Sequence, residues 1–500
     1  MLTGLTSISK NKKEFKTGKM KVPVIFHCSE NLLPNEETFR QLENLGSDDR
    51  LFHHISAMSD AHPKIGRKNP TGTVAASKNF LFPQINDTAP NCGMRLLKTE
   101  LDEKSATPEK INELFNELVK VVPTKKYVGT KIPYEIALDT CRLGINPLVD
   151  FFKTRTKDEI ANTLLNGNFF GGSGEIPSRR EILDVIPKIF IKIASYRLGI
   201  LGAAGNHFLD LMKISKVINP DKAKKFGVRP GQYILLLHTG SGLLGQYASY
   251  MYTPKIKEHR SQKWMLKIGT TFFDSQMKKV YFNLAKKIKD YADKEEFFGY
   301  DDRGLEGRMF IRAHRAAANF GFANRCVISH NIDRAMEKIF GKQIKLELLY
   351  DTSHISIENE NHFGENIWVH RNGAVRAYGP KKMKDHPVFS RTGEPVFIPS
   401  SMSTSAYLCT GTDQNDSAFF SAPHGTGRRK NAESDIPENK SALFEKMEKS
   451  QIRLYNAQSK GVILQDRAYY KDINEVLEGL DENKMVDIVA KMEPVAVLMY

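Results

Sequence analysis

Apolar residues recur along this chain in two rhythms. Ile111, Leu114, Phe115, Leu118 and Val122 follow a spacing of three to four, which places them on one stripe of an α-helix. Thr107-Pro108-Glu109 stands at its start, offering a capping hydroxyl, a proline suited to the first turn and an acid at the positive helix end. Pro177-Ser178 reads as a second helix entry and Asp435 to Pro437 as a third. The helix predicted after Pro437 carries Leu443, Phe444, Met447 and Ile452, with Gly461 as its end. Tyr233 to Leu237 is an unbroken apolar run of strand length, the pattern of a strand covered on both faces. Ile367–Arg371 and Ala374–Tyr378 flank Asn372-Gly373, which predicts a type I′ hairpin. Strand and helix signals alternate to the end without an internal repeat. The expected fold class is therefore α/β (mixed α+β), in a single large domain.

Composition narrows the reading. Over 500 residues, 40% hydrophobic and 26% charged content excludes wholesale disorder and a disulfide-dense miniature scaffold. No apolar run reaches the ~18–20 residues of a membrane helix, and the first residues lack the pattern of a secretory signal. The five cysteines are scattered and include no CxxC pair, which suits free thiols in a reducing cytoplasm. Lys and Arg exceed Asp and Glu by a formal charge of +15. Residues 1–21 hold six lysines and one glutamate and read as a basic N-terminal extension to a domain spanning 22–500. Residues 255–289 hold ten Lys or Arg against Glu258 and Asp274, interleaved with Trp264, Phe272, Phe273, Tyr281 and Phe282. Such a stretch suits a phosphate backbone and stacked bases.

Several polar residues stand where packing alone would not choose them. Gly205-Asn206-His207 delivers an amide and an imidazole from a small-residue turn. His238 ends the apolar strand, His354 follows Tyr350-Asp351-Thr352-Ser353, and Cys92 sits in Pro90-Asn91-Cys92-Gly93. Three imidazoles and a thiolate are ordinary metal donors, and softness alone favours zinc over manganese. In His424-Gly425-Thr426-Gly427-Arg428-Arg429, a histidine adjoins glycines and two arginines that suit an anion, and a neutral imidazole can attack phosphorus. No Walker A pattern is present. Gly240-Ser241-Gly242-Leu243-Leu244-Gly245 has GxGxxG spacing without the expected helix and acid after it.

Taken together and in order, these segments resemble the RtcB family of RNA ligases. The resemblance runs from Ser59-Asp60-Ala61-His62-Pro63 through Asn91-Cys92-Gly93-Met94-Arg95, Gly205-Asn206-His207-Phe208-Leu209-Asp210 and His238-Thr239-Gly240-Ser241. It continues through Ala317-Ala318-Asn319-Phe320-Gly321-Phe322-Ala323-Asn324-Arg325, Tyr350-Asp351-Thr352-Ser353-His354 and Pro399-Ser400-Ser401-Met402 to His424-Gly425-Thr426-Gly427-Arg428 and Ala468-Tyr469-Tyr470-Lys471-Asp472. It implies a GTP- and Mn²⁺-dependent ligase joining RNA ends that carry 2′,3′-cyclic phosphate or 3′-phosphate to 5′-hydroxyl ends, through a histidine–GMP intermediate. By resemblance, His424 is the nucleophile and Asp60 orients it. Asn206, Asp210, Ser401, Gly425 and Tyr470 match positions around the nucleotide. Cys92, His207, His238 and His354 match ligands of two Mn²⁺ ions, and RNA is the implied partner, with an archease-like activating protein as a further one.

Four departures qualify the match. Ala89 occupies the position of a family metal-binding aspartate, and Asp87, two residues earlier, is the candidate replacement. Asp210 is one methylene shorter than the family's glutamate, and the chain ends Leu498-Met499-Tyr500 where the family ends Lys-Gly. His238 is followed by Thr239-Gly240-Ser241-Gly242-Leu243, without the family's arginine. Two other readings follow from these changes: a family member that binds RNA without ligating it, and a metal-dependent cyclic phosphodiesterase.

Overall fold

The run at Tyr233–Leu237 lies within a strand, Tyr233–Thr239, that is buried at every position. A computed structural model describes residues 3–64, 66–86, 89–125, 128–153, 158–202, 204, 206–255, 260–273, 275–292, 294–429 and 436–500. The strand lies inside an eight-stranded sheet, between Gly93–Lys98 and Phe208–Val217. Outward from Gly93–Lys98 the sheet ends at Glu347–Ser353. Outward from Phe208–Val217 it continues through Val486–Met499 and Ala406–Gly411 to Pro395–Ile398, with Arg453–Asn456 joining Val486–Met499 in parallel.

Alternation explains why the run is apolar throughout. Ile234 and Leu236 enter one core with Met94, Leu96 and Met212, while Leu235 and Leu237 enter another with Leu97, Leu209 and Leu211. The helix Pro108–Val121 fills the second core through Ile111, Leu114, Phe115 and Leu118, and the Thr107 side chain accepts the Lys110 backbone N–H at its start. A 36-residue helix, Leu305–Phe340, packs its earlier turns into the first core and Ile328, Ile332, Met336 and Phe340 into the second. The second entry signal also forms: Ser178 and Glu181 make a reciprocal capping box on the helix Arg179–Leu183. The fold is mixed α/β, as its patterning indicates.

The second large sheet has its own core. Its seven strands run in the order Leu5–Ser9, Lys12–Phe15, Val24–Phe26, Leu51–His62, Thr71–Ser77, Glu365–Asn372 and Ile355–His362. The described part of the basic N-terminal stretch, residues 3–21, is thus not set apart from the domain. Two strands from them complete a sheet edge, because Phe15 and Met20 bury with Val24, Phe26 and Phe39. Lys13 is accommodated there by donating to the Ser9 and Lys10 carbonyls at 2.9 and 2.7 Å.

Three other local expectations are corrected. Asn372-Gly373 does not join a hairpin: Glu365–Asn372 pairs with Ile355–His362 and Thr71–Ser77, whereas Ala374–Arg376 pairs with Ser421–Pro423. Gly373 has the positive φ (+75°) that the motif suggested, but uses it to turn the chain out of the sheet, with its N–H donated to the His354 carbonyl at 2.8 Å. The third predicted helix spans Lys440–Lys449, capped by Asn439, and Asp435 lies outside the described residues. It ends where Gln451 takes φ +58°, so Ile452 and Gly461 fall beyond it. The GxGxxG loop does open a helix, Gly242–Tyr252. No helix among the described residues is long and apolar enough to cross a membrane.

Buried neutral histidines make this fold sensitive to acid. Burial pushes the pKa of His314 down to about 3 and that of His370 to about 4, from an ordinary 6.5. His370 Nε2 accepts the Phe82 N–H at 3.0 Å, which only a neutral ring nitrogen can do. The unfolded chain binds more protons than the folded one below about pH 6.5, so stability is present above that value and lost as pH falls. The variant His314→Phe should lose about 2 kcal/mol of the stability difference between about pH 7 and about pH 5. Urea titrations at both values test this, and an unchanged pH slope would refute it.

Candidate metal and nucleophile centre

Four donors converge at the end of the central strand. Asn91, in the left-handed region at φ +52°, turns the chain so that Cys92 precedes the strand Gly93–Lys98. Its side-chain amide donates to the Ala318 carbonyl at 2.7 Å, and a Cβ at Gly321 would stand 2.5 Å from the Asn91 carbonyl oxygen. The long helix therefore needs a glycine there to let the cysteine turn approach. His238 is the penultimate residue of Tyr233–Thr239, opposite Phe208, which brings His207 alongside. His354 stands between the last strand of one sheet and the first residue of another, with its N–H donated to the Cys92 carbonyl at 2.9 Å.

The resulting distances are short. Cys92 Sγ lies 3.5 Å from His207 Nε2 and 3.3 Å from His238 Nε2, and His238 Nε2 lies 3.0 Å from His354 Nε2. Cys92, His238 and His354 form a buried group whose ligand atoms lie within 4.8 Å of one another. Backbone oxygens select the tautomers. His207 Nδ1 faces the Leu201 carbonyl at 2.8 Å and His238 Nδ1 the Asn206 carbonyl at 2.7 Å, leaving each Nε2 lone pair for the centre. Burial drives the His207 pKa down to about 4 and those of His238 and His354 well below 6.5. Burial also raises the Cys92 thiol to about 11, against the opposing charges of Arg325 and Lys64. Neutral imidazoles and a thiol that ionises on coordination fit a first-row divalent cation, whose binding would release a proton. Asp87 lies outside the described residues, whereas Ala89 is placed, with its Cβ 2.8 Å from the position a Cβ would take at Gly245.

One guanidinium ties the ligand-bearing turns together from behind. Arg325, fully buried on the long helix, donates to the Asn91 carbonyl at 3.1 Å, Asn91 Oδ1 at 2.8 Å and the Thr239 carbonyl at 2.8 Å. Its Nη2 also reaches the Thr352 carbonyl at 3.5 Å. Asn91, Thr239 and Thr352 lie within two residues of Cys92, His238 and His354. Asp351 pairs with Arg325 Nε and Arg95 Nε, each at 2.8 Å, and Glu159 pairs with Arg95 Nη1 at 2.8 Å. Arg325, Arg95 and Asp351 fall within motifs quoted above, yet nothing in the sequence marks them as supports.

The nucleophile candidate adjoins this centre. The His424 ring stacks on that of His354, with centroids 4.4 Å apart and planes at 21°. His424 Nδ1 donates to the Gly373 carbonyl at 2.8 Å, and Asp60 Oδ2 lies 2.7 Å from the same nitrogen. Asp60 is fully buried, and neither of its carboxylate oxygens is in hydrogen-bonding geometry, so it acts on the ring chiefly by charge. Gly427, at φ +78°, lets the histidine loop lie against Asp60, since a Cβ there would approach Asp60 Cα to 2.5 Å. A ring protonated at Nδ1 exposes Nε2 as its reactive atom.

A cavity of about 410 Å³ opens between these groups, lined in part by His238, His424, Asn206, Asp210, Ser401, Gly425 and Tyr470. Phe208, Met212, Leu236, Met402, Val497 and Met499 give it an apolar wall. Asp210 is buried, its Oδ1 has no partner, and burial raises its pKa well above the usual carboxylate range. A larger cleft of about 710 Å³, lined by Lys98, Phe152, Asn162 and Ser329 among others, contains none of the candidate site residues. The basic stretch forms two helices, Arg260–Phe272 and Ser275–Asp290. Phe273 and Tyr281 are buried and stacked at 4.1 Å, while Trp264 and Phe282 are 56% and 62% exposed.

Replacing Arg325 with lysine keeps the charge but removes the fork that holds three turns. Divalent-metal affinity, read by competition with a chromogenic chelator, should fall roughly 10–100-fold. The variant Asp351→Asn should cost about 3–5 kcal/mol in urea unfolding, because it strips the counter-charge from two buried arginines. Wild-type metal affinity in Arg325→Lys would contradict this account.

Comparison with known proteins agrees with the geometry. One family profile, described as tRNA-splicing ligase RtcB, matches residues 41–499. A protein named tRNA-splicing ligase RtcB from Methanococcus maripaludis is 30% identical over 96% of this chain and 95% of its own. Proteins of the same name from Nanoarchaeum equitans and Pyrobaculum aerophilum are each 28% identical, over 97% and 96% of this chain and 96% and 95% of theirs. With the profile spanning nearly its whole length, the chain belongs to the RtcB family of tRNA-splicing ligases.

Proposed function

We propose that this protein is an RNA ligase that joins a 2′,3′-cyclic phosphate or 3′-phosphate end to a 5′-hydroxyl end, using GTP and two Mn²⁺ ions. The observation that carries the reading is His424, held at Nδ1 by the Gly373 carbonyl with the Asp60 carboxylate beside it, and stacked on a member of the metal-type cluster. Bound at Cys92, His207, His238, His354 and Asp87, Mn²⁺ would neutralise charge on phosphates and activate water to open a cyclic end.

In this reading His424 Nε2 attacks the α-phosphorus of GTP. The N–P bond forms as the bond to pyrophosphate breaks, and the Nδ1 proton stays in place. The imidazolium character that develops is met by the Asp60 carboxylate. A 3′-phosphate oxygen of RNA then takes GMP from His424, which returns to its neutral ring. The 5′-hydroxyl oxygen attacks that activated phosphate, and GMP leaves. Asn206, Ser401, Gly425 and Tyr470 line the space for the nucleotide, and the apolar wall suits the faces of a purine. Trp264 and Phe282, exposed among lysines, suit single-stranded RNA. An archease-like activator belongs to the same reading as an external partner.

Labelling with α-labelled GTP and Mn²⁺ is the direct test. We expect an acid-labile, base-stable adduct that is absent in His424→Ala and slowed at least about tenfold in Asp60→Asn. Metal-loaded protein that forms no adduct with GTP or ATP, even with an archease-like protein added, would overturn the proposal.

Asp210 gives the nucleotide preference a pH signature. Its ionised form accepts the guanine N1–H and amino N–H, and its unpaired burial favours the neutral form. GTP affinity should therefore rise as pH increases through the raised pKa of this carboxyl, and Asp210→Asn should flatten that rise. The apparent KM of labelling reports both, with ATP as the comparison.

A further inference from the structure

The cavity holds one cation whose role the preceding account leaves open. Lys64 lines it together with His62, His238 and His424. The two arginines that the sequence offers as phosphate clamps are otherwise engaged. Arg428 donates to the Leu464 carbonyl and lies 5.1 Å over the Tyr470 ring, while Arg429 Nε donates to the Tyr470 carbonyl at 2.6 Å. The loop after His238, Thr239-Gly240-Ser241-Gly242-Leu243, carries no basic residue.

Lys64 differs from these arginines. Its side chain makes no hydrogen bond or ion pair with any described residue. Burial and the nearby Arg67 lower its pKa to about 8, and the Cys92 group is the one that opposes them. Lys255 lies close enough to feel the charges of both Lys64 and Arg67, and its Nζ donates to Ser249 Oγ at 2.8 Å. A half-buried ammonium without a counter-charge is costly, and an anionic ligand would reduce that cost.

The position of Lys64 says which end of the cavity it serves. Its charge acts on Cys92 and His354. In the register of the central strands, His238 stands opposite Phe208, Leu236 opposite Asp210 and Ile234 opposite Met212. Asp210 and Met212 therefore lie progressively farther along the strands from the metal ligands, by about 3.3 Å per residue. The buried acid and Met212 occupy that farther end, and Lys64 acts at the metal end of the cavity that His424 also lines.

We propose that Lys64 is the side-chain cation of a phosphate subsite at the metal end of this cavity, positioned to take a terminal phosphate brought to His424. Two sources share that chemistry: the 3′-phosphate of an RNA strand and the outer phosphates of a nucleoside triphosphate. The inference rests on the ligase reading above for its substrates. The site itself rests on the cavity, the unpaired ammonium and the committed arginines. A site near Cys92 and His354, in the cavity that His424 also lines, suits an RNA 3′-phosphate that is to take up GMP.

The test uses Mn²⁺-loaded full-length protein. The first arm measures fluorescence anisotropy of a short RNA ending in 3′-phosphate against the same RNA ending in 3′-hydroxyl, without nucleotide so that nothing turns over. Wild type should prefer the phosphorylated end at least about tenfold, Lys64→Met should lose most of that preference, and Lys64→Arg should restore it. Binding of the 3′-hydroxyl RNA should be unaltered, which separates a phosphate contact from a fold defect. The second arm measures the apparent KM for GTP in adduct formation. Loss of end preference with an unchanged KM assigns the subsite to the RNA phosphate. A raised KM with unchanged end preference assigns it to the triphosphate. If neither quantity moves in Lys64→Met, the proposal is overturned. Absence of an adduct in wild type would defeat the ligase reading while leaving the first arm to decide on Lys64.

Discussion

The centre depends on a charge that makes no side-chain hydrogen bond to Cys92, His207, His238, His354 or His424. Arg325 sits in the middle of the long helix with no exposed surface, and its fork holds main-chain oxygens beside Cys92, His238 and His354. Bringing a guanidinium into that interior is tolerable because Asp351 neutralises it, and Asp351 in turn answers to Arg95 and Glu159. Close packing around this network removes alternative positions for the turns it holds. Donor geometry is therefore set by a helix, although the donors themselves lie at strand ends and turns.

The two large sheets contribute different chemistry. Cys92, His207 and His238 stand at strand ends of the eight-stranded sheet. Asp60 lies in a strand of the seven-stranded sheet, packed over a separate core. His354 belongs to the junction, and Gly373 links it to the nucleophile: its N–H reaches the His354 carbonyl and its own carbonyl receives the His424 ring. A Cβ at Gly373 would lie 2.5 Å from Thr71 Cγ2, so the corner is closed to other residues for reasons of space as well as backbone conformation. The candidate nucleophile His424 and the metal-type residue His354 thus share a single peptide corner.

Much of this was legible in the sequence, for reasons that differ by element. The helix at Pro108–Val121 and the strand at Tyr233–Thr239 follow from local periodicity, because each buries what its own pattern displays. The histidines and Cys92 stand out because they occupy turns and strand ends, where packing does not require them. Asn372-Gly373 was misread because a positive φ says only that the chain turns, and the partner of each flanking segment is decided by strands far away. The N-terminal stretch reads as a basic extension because its lysines dominate the composition, while Phe15 and Met20 are enough to anchor residues 3–21. Arg325 was invisible as a support because its function exists only once three distant turns meet.

The tautomers of this centre have a consequence for how it can vary. His207, His238 and His424 are each fixed at Nδ1 by a carbonyl of the main chain, at Leu201, Asn206 and Gly373. Every residue type supplies the same carbonyl, so substitution at Leu201 or Asn206 leaves the hydrogen-bond acceptor chemically intact. Proton placement in the centre is written in backbone path, and a change of side chain at those two positions does not by itself rewrite it.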